Sequence, residues 1–427
     1  MMKALAVIAL AFGIGLAVLL AEGGGAAAPS PVARPVLTGT SADIPKLQSA
    51  VRRSPNREDL RASLAAAYLQ RVRETGDPSF YTRAEGVLRN PRTPDGLATA
   101  GELALARHDF SGGLQLGRRA GAEGAFVRVD ALVELGRYAA AERELQAMVD
   151  RKPNLAAYAR VSYLRELHGD LTGAATAMRL AVAAGGPAPE NNAYVLALLG
   201  ELERRLGHAG EAHAAFAKAL ALVPGFPAAE AGMARLESAA RVERRLSRVQ
   251  REKLDARGLA AAATRLRGIV DTLPLPEYVV ALGETELAAG KAGAAKQDLA
   301  LVQAEEQLQR AAGVDVDVEL AVFEADHGDP AKAVALARRG WAKAPSVRAA
   351  DALGWALTRS GDPRSGYRWA KRALRLGALD PVWRAHAGLS ALAAGHAREG
   401  RKQLRIAFAH GLDGYPWQAQ RARAALR

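Results

Sequence analysis

Glycine recurs at regular intervals in this chain, inside stretches rich in alanine and leucine that otherwise favour helix. Gly136 and Gly169 are 33 residues apart, and Gly328, Gly361 and Gly395 follow one another at intervals of 33 and 34 residues. A helix break that repeats at a fixed spacing is typical of an array of small structural units. The 427 residues are therefore expected to fold as such an array and not around one compact core.

Three of the breaks have the same sequence, Gly-Asp-Pro, at 76–78, 328–330 and 361–363. Glycine at the end of a helix adopts the left-handed backbone conformation at little cost. Aspartate then accepts hydrogen bonds from the free backbone amides of the next helix. Proline fits the first position of that helix because no donor is needed there. The triplet predicts a helix, a tight turn and a second helix.

Small residues also recur inside the units, at the eighth and twentieth positions, and Gly200 and Gly354 are two that occupy the eighth. A larger side chain would separate two helices where they cross, so we expect close helix–helix contact at these positions. The interval from Gly207 to Gly290 leaves room for one extra unit, and its corner is expected near Gly258.

The stretch NAYVLALLGELERRLGHAGEAHAAFAKALALVP, which ends at Pro224, resembles the tetratricopeptide repeat, a 34-residue helical hairpin. The resemblance covers most of 55–410. It implies an all-α fold, a right-handed α-solenoid of stacked antiparallel helix pairs, with about ten units over 45–410 and a C-terminal capping helix at 411–427. In that helix we expect Arg421, Arg423 and Arg427 to face water. Several stretches are also similar to those of exported bacterial tetratricopeptide proteins.

The resemblance implies a binding site for another protein in the concave groove, which the first helix of each unit lines. Ordinary solvated helix surface is the alternative interpretation of these positions. The lysine and asparagine set with which some relatives hold a peptide carboxylate is not reproduced here. The candidate groove residues are Tyr194, Glu201, Arg204, Arg205, Arg348, Asp351, Trp355 and Arg359.

The N-terminus has Lys3, then an unbroken apolar run over 4–21, then small residues. This layout is typical of an export signal, and the run is also long enough to span a bilayer. We therefore expect a signal peptide or membrane anchor at 1–28, a flexible linker at 29–44, and an extracytoplasmic protein, secreted or tethered in a bacterial cell envelope. Whether the segment is cleaved stays open, and a buried core helix is the alternative.

The sequence contains no motif that supports catalysis. Without cysteine there is no thiol nucleophile or Cys-ligated metal, and GxSxG, GxxxxGK[ST] and HExxH are absent. We predict no enzymatic activity, no cofactor and no small-molecule substrate. The alternative is an accessory protein that handles solutes or metals with histidines at the helix corners. Those histidines are His108, His168, His208, His327 and His396.

Positive charge is concentrated near the C-terminus. Residues 359–427 carry a net charge of +10, against +13 for the whole chain. Such a surface attracts an acidic protein or an anionic envelope surface, although a solvated helix face is the alternative. We expect no nucleic-acid partner, because aromatic residues that could stack on bases are sparse. The candidate basic face consists of Arg368, Arg372, Arg401 and Arg405.

Overall fold

The structure is a computed structural model, and it describes residues 40–186, 188–239 and 248–427. These residues form 22 α-helices and one short 3₁₀ helix, and they contain no β-strand. Consecutive helices pack as antiparallel hairpins that stack side by side. The predicted all-α solenoid of stacked helix pairs is confirmed. The predicted signal or anchor at 1–28 and most of the predicted linker lie outside the described residues.

The first half of the array begins with α1, which starts at Thr40, ahead of the expected start at residue 45. Five hairpins follow it, each made of a first and a second helix. The helices are α1 (Thr40–Arg53), α2 (Glu58–Thr75), α3 (Ser79–Val87), α4 (Pro94–Ala106), α5 (Phe110–Arg119), α6 (Ala125–Glu134), α7 (Tyr138–Arg151), α8 (Leu155–Leu167), α9 (Leu171–Ala184), α10 (Pro189–Leu206) and α11 (Ala209–Leu222).

Five more hairpins make the second half, and a short C-terminal segment follows them. The helices are α12 (Pro227–Ser238), α13 (Arg248–Val270), α14 (Pro276–Ala288), α15 (Ala292–Ala311), α16 (Asp317–His327), α17 (Pro330–Lys343), α18 (Val347–Arg359), α19 (Pro363–Ala373), α20 (Pro381–Ala393), α21 (Ala397–Ala409), the 3₁₀ helix Leu412–Gly414 and α22 (Pro416–Leu426).

Left-handed glycine ends the first helix at most corners, and an aspartate caps the following helix at several of them. Gly361 has a φ of 95°, in the left-handed region. Asp362 then accepts a hydrogen bond from the Ser365 amide at 3.0 Å, and Asp329 accepts one from the Ala331 amide at 2.8 Å. Each aspartate satisfies an amide that the first turn of its helix leaves without a partner.

Two of the expected corners differ from the prediction. Gly328 has a φ of −132° and is not left-handed, and the Glu324 carboxylate accepts a hydrogen bond from the Asp329 amide at 2.8 Å. Gly258 is not a corner at all, since α13 runs through it without a break. Gly258 instead lies where α13 approaches α12 closely. A Cβ on Gly258 would lie 2.5 Å from the Glu237 carbonyl oxygen.

The small residues inside the hairpins lie where helices cross, as predicted. A Cβ added to Gly200 would lie 2.5 Å from the Phe216 ring on the partner helix. A Cβ added to Gly354 would lie 2.9 Å from the Ala370 backbone nitrogen. Both distances are shorter than real Cβ contacts, so glycine allows these helices to approach closely.

Successive turns of the superhelix contact each other. At the corner of the second hairpin, the His108 ring nitrogen Nδ1 contacts the backbone oxygen of Asp315, at the start of the eighth hairpin. At the corner of the third, the Tyr138 hydroxyl oxygen accepts from the Val347 amide of the ninth at 2.8 Å. These residues are 207 and 209 positions apart. Six hairpins therefore complete one turn, and hairpin n rests on hairpin n + 6.

Glycine makes this contact possible at two corners of the first turn. A Cβ on Gly136 would lie 2.4 Å from the Pro345 carbonyl oxygen, and one on Gly169 would lie 2.6 Å from the Gly377 carbonyl oxygen. Three corners of the second turn have the same left-handed backbone but open space where a Cβ would be. Those open corners are Gly290, Gly361 and Gly395.

The prediction of an extracytoplasmic location is corrected. Within 40–186, 188–239 and 248–427, none of the helices is both long and apolar enough to cross a bilayer. The apolar run at 4–21, on which the prediction rested, lies outside the described residues. We therefore withdraw the assignment to a secreted or membrane-tethered state.

Alanine at Gly136 or Gly169 should destabilise the fold more than alanine at Gly361 or Gly395. All four glycines have positive φ, so alanine costs about 1–2 kcal/mol at each of them. Only the first two substitutions push against a carbonyl oxygen of the other turn, which adds roughly 1–3 kcal/mol. Urea unfolding of the four variants measures the difference, and equal losses in all four would contradict the contact between turns.

Candidate functional site

Ion pairs between consecutive first helices line the inner face of the array. Arg160 on α8, only 1% exposed, donates hydrogen bonds of 2.8 and 2.6 Å to Asp130 on α6. Arg205 on α10, also 1% exposed, pairs with Glu166 on α8. In each pair the acid lies one hairpin before the base. These buried charges therefore connect neighbouring hairpins, and removing one partner would leave the other without compensation.

Glu201 on α10 extends this series of ion pairs. It contacts Arg204 at 3.1 Å and Arg235 of α12 at 2.8 Å. Burial alone would raise the pKa of the Glu201 carboxyl, but the two guanidinium groups outweigh burial and hold the pKa at about 2. Glu201 is therefore ionised at any physiological pH, and its charge is already matched by protein groups.

The groove residues predicted in the second turn are also engaged. Arg348 pairs with Glu319 of α16 and lies 3.8 Å from Glu134 of α6, so it bridges the two turns. Asp351 Oδ2 lies 3.0 Å from the Nδ1 nitrogen of His386 on α20, and both side chains are 1% exposed. Most of these predicted groove residues are thus engaged with neighbouring side chains of the protein itself, and Glu201 and Arg204 contact each other. Their role in binding a partner stays a prediction.

The C-terminal segment lies against this inner face. The Tyr415 ring is flanked by the guanidinium groups of Arg204 and Arg235, each 5.5 Å from its centre. Further along, the Gln420 amide donates to the Ala288 carbonyl oxygen, at the end of α14, at 2.9 Å. Helix α22 also packs on α20. The chain therefore covers part of its own groove, at the C-terminal ends of the first helices.

Asp326, in the last turn of α16, holds α22 in place. Its side chain is fully buried and accepts hydrogen bonds from Trp355 Nε1 at 2.9 Å, Arg421 Nη1 at 2.8 Å and Gln418 Nε2 at 3.2 Å. Trp355, a predicted groove residue, is thus directed toward the C-terminal helix. Arg359, the last one predicted, is exposed and donates to a backbone carbonyl oxygen of α16 at 3.0 Å.

The prediction that Arg421 faces water is therefore wrong, whereas Arg423 and Arg427 are exposed as expected. Sequence reasoning also missed Asp326, although one signal was available. A carboxylate in the last turn of a helix is disfavoured by the helix dipole, so it indicates a cationic partner elsewhere in the fold. Nothing local identifies that partner, because Arg421 is 95 residues away in sequence.

The corner histidines do not gather at one site. His168 lies 3.0 Å from Glu142, His208 lies 2.8 Å from Glu203, and each pair belongs to a different corner. His108 contacts a backbone oxygen of the next turn, and burial lowers its pKa to about 4. The structure offers no shared metal site for these five residues among those it describes.

One histidine does lie near two carboxylates. Ligand atoms of His327, Glu284 and Asp326 lie within 4.8 Å of one another. His327 Nε2 is 3.0 Å from Glu284, and the Asp326 oxygens accept from α18 and α22 as described. The Trp417 ring of α22 packs on the His327 ring with centres 4.7 Å apart. These groups already satisfy one another, and the contacts they make dock the C-terminal helix.

The candidate basic face lies on the opposite, outer side, on the second helices α19 and α21. All four predicted residues are exposed, and none of them forms an ion pair with a residue that the structure describes. The Tyr367 ring of α19 contacts the His396 ring at the start of α21, with centres 4.8 Å apart, so the two helices are neighbours. The exposed basic residues of this surface are Arg364, Arg368, Lys371, Arg372, Arg375, Arg398, Arg401, Lys402 and Arg405.

Replacing Asp326 with alanine should release the C-terminal helix. The variant leaves Arg421 without its carboxylate, and we expect a loss of roughly 2–3 kcal/mol, below the value for a fully buried pair because Arg421 is 22% exposed. Trypsin should then cut near the C-terminus faster than in the parent. The matched control is D413A, which breaks the more exposed pair with Arg423 and should change little. Unchanged proteolysis of D326A would contradict this docking role.

Neither a protein-family model nor a curated protein sequence matches this chain. Solved structures with a similar arrangement of helices include the human IFIT1 dimer with m7Gppp-AAAA, at 13% identity and a TM-score of 0.48, covering 86% of each chain. Another is a chain of the APC/C hetero-tetramer Cut9-Hcn1, at 14% identity and a TM-score of 0.31, covering 91% of this chain and 93% of that one. The described residues form an all-α solenoid of stacked antiparallel helix hairpins.

Proposed function

We propose that this chain is a scaffold without catalytic activity of its own, and that it binds an acidic protein through its basic face. The basic face comprises the nine exposed lysine and arginine residues named above, of which eight belong to α19 and α21 and Arg375 lies just after α19. The observation that carries the proposal is that none of the nine has an acidic partner among the described residues. Elsewhere in the array, in contrast, arginines pair repeatedly with aspartate or glutamate.

The geometry of the hairpins supports a shared surface. Arg364, Arg368 and Lys371 are three or four residues apart, so they share one face of α19. Arg398, Arg401 and the residues after them repeat that spacing on α21. Because the two helices are neighbours, the electrostatic potentials of their basic residues add over one surface. A partner with several carboxylates could therefore contact both helices at once.

The concave groove is a less suitable site for a large partner. Its predicted residues are engaged in the ion pairs of the inner face, and α22 covers part of the groove. A peptide could enter there only after displacing the Asp326 contacts. The outer basic face, in contrast, is open without any rearrangement.

Aromatic residues on the outer side favour a protein over a nucleic acid. Trp341 and Trp369 pack edge to face, with ring centres 4.7 Å apart, and the Arg372 guanidinium lies 4.5 Å from the Trp341 ring centre. Stacking of bases requires an aromatic face that is free. These two rings are occupied by each other and by arginine, so they offer no such platform.

Reversing four charges should weaken binding without altering stability. We expect R368E/R372E/R401E/R405E to bind a fluorescein-labelled oligoglutamate peptide at least about tenfold more weakly at low salt, because each exposed contact contributes roughly 0.3–1 kcal/mol. The difference should shrink near physiological salt, where the Debye length is about 8 Å. Fluorescence anisotropy measures both effects, and the melting temperature should stay close to that of the parent.

The matched control reverses four exposed arginines of the first turn, Arg118, Arg119, Arg143 and Arg151, and changes the net charge equally. If both variants lose the same affinity, only the net charge attracts the peptide and the basic face is not a site. If a single-stranded oligonucleotide binds the parent more tightly than the peptide does, the partner class is wrong.

A further inference from the structure

An internal cavity lies between the two turns of the superhelix, apart from the basic face. Its volume is about 230 Å³, and α2 and α10 of the first turn and α14, α15 and α16 of the second contribute to its wall. An engineered cavity of roughly 150 Å³ is large enough to hold benzene, so this one has room for a larger apolar group. The wall is mostly apolar, with Val72, Leu273, Val280, Val302, Val322 and Phe323.

One carboxylate faces this apolar cavity without a cationic partner. Glu277, in the first turn of α14, makes no ion pair with any residue that the structure describes, and only its own backbone amide contributes a hydrogen bond. Burial raises the pKa of the Glu277 carboxyl to about 7, and the nearby Glu305 adds to the shift. A half-buried carboxyl at an apolar wall gains from a cation that reaches it.

The other charged groups at the wall are already matched. Arg348 pairs with Glu319 and lies near Glu134, and Glu306 pairs with Arg310 at 2.9 Å. Arg73 is surrounded by carboxylates, including Glu190, which also accepts from the Gln70 amide. Among the lining carboxylates that the structure describes, Glu277 has neither an ion pair nor a side-chain hydrogen bond, so the charge of a ligand acts on it most directly.

Aromatic rings accompany this carboxylate. Tyr194 and Tyr278 line the cavity together with Glu277, and the same three residues also line a second, smaller space beneath Tyr415 of the C-terminal segment. Aromatic faces attract cations, and the attraction increases when water is excluded. A cavity wall that combines a carboxylate, two tyrosines and mostly apolar side chains matches an amine with a hydrocarbon body.

We propose that this cavity binds a small hydrophobic amine, with its ammonium group at Glu277 and its hydrocarbon part among the valines and Phe323. The ligand is a primary or secondary amine with a short apolar chain or ring. This inference goes beyond the proposed scaffold function and is independent of it, since the basic face lies on the outer side of other helices.

Three ligands with the same hydrocarbon chain but a different head-group charge test the proposal with the intact protein. Isothermal titration calorimetry compares n-octylamine, n-octanol and n-octanoate at pH 8, where Glu277 is ionised. We expect the amine to bind at least about tenfold more tightly than the alcohol, and the carboxylate to bind most weakly. Equal affinity for amine and alcohol, or no binding of any of the three, would overturn the proposal.

The variant E277Q should bind the amine and the alcohol with similar affinity, while its affinity for the alcohol stays near that of the parent. The matched control E211Q removes the same charge from an exposed site on α11 and should keep the preference for the amine. If E277Q also keeps that preference, Glu277 is not the cation site and the proposal fails. The comparison of the three ligands on the parent protein needs no variant. It therefore still tests the proposal if E277Q folds poorly.

Discussion

The contact between successive turns of the superhelix is the constraint on which the rest of the structure depends. Gly136 and Gly169 lack a Cβ, so the carbonyl oxygens of Pro345 and Gly377 can lie against their backbones. Six hairpins then close one turn, and the next turn rests on it. An open array of the same hairpins would expose its inner face to water, whereas this one encloses it.

Enclosure decides the chemistry of the inner face. Charges there are removed from water, so each must meet an opposite charge or a hydrogen-bond partner. The pairs between Arg160 and Asp130 and between Arg205 and Glu166 satisfy this requirement and connect neighbouring hairpins. Glu277, at the cavity wall, has no cationic partner among the described residues, and for that reason it indicates a ligand. The outer helices are not under this constraint, so their unpaired arginines remain available to a partner.

The local structure could be predicted from sequence because its causes are local. A glycine corner, an aspartate cap and a small residue at a crossing each act over a few residues, and most of them appear where expected. The contacts between turns could not be predicted, since Gly136 and Gly361 look alike in sequence and differ only in what lies opposite them. Arg421 was assigned to water for the same reason, because its partner Asp326 is 95 residues away.

A disulfide between the two turns tests this account most directly. Because the protein has no native cysteine, the two introduced cysteines can pair only with each other within one molecule. In H168C/G377C the two cysteines would sit on backbones in contact, because a Cβ at 377 lies 3.2 Å from the His168 carbonyl oxygen. In the control H168C/G395C, the second glycine has a similar positive φ but nothing within 4 Å of its Cβ. The account predicts rapid intramolecular oxidation of the first pair under native conditions, none in the control, and loss of the difference in denaturant. Failure of the first pair to oxidise, or equal oxidation of both pairs, would contradict a closed superhelix.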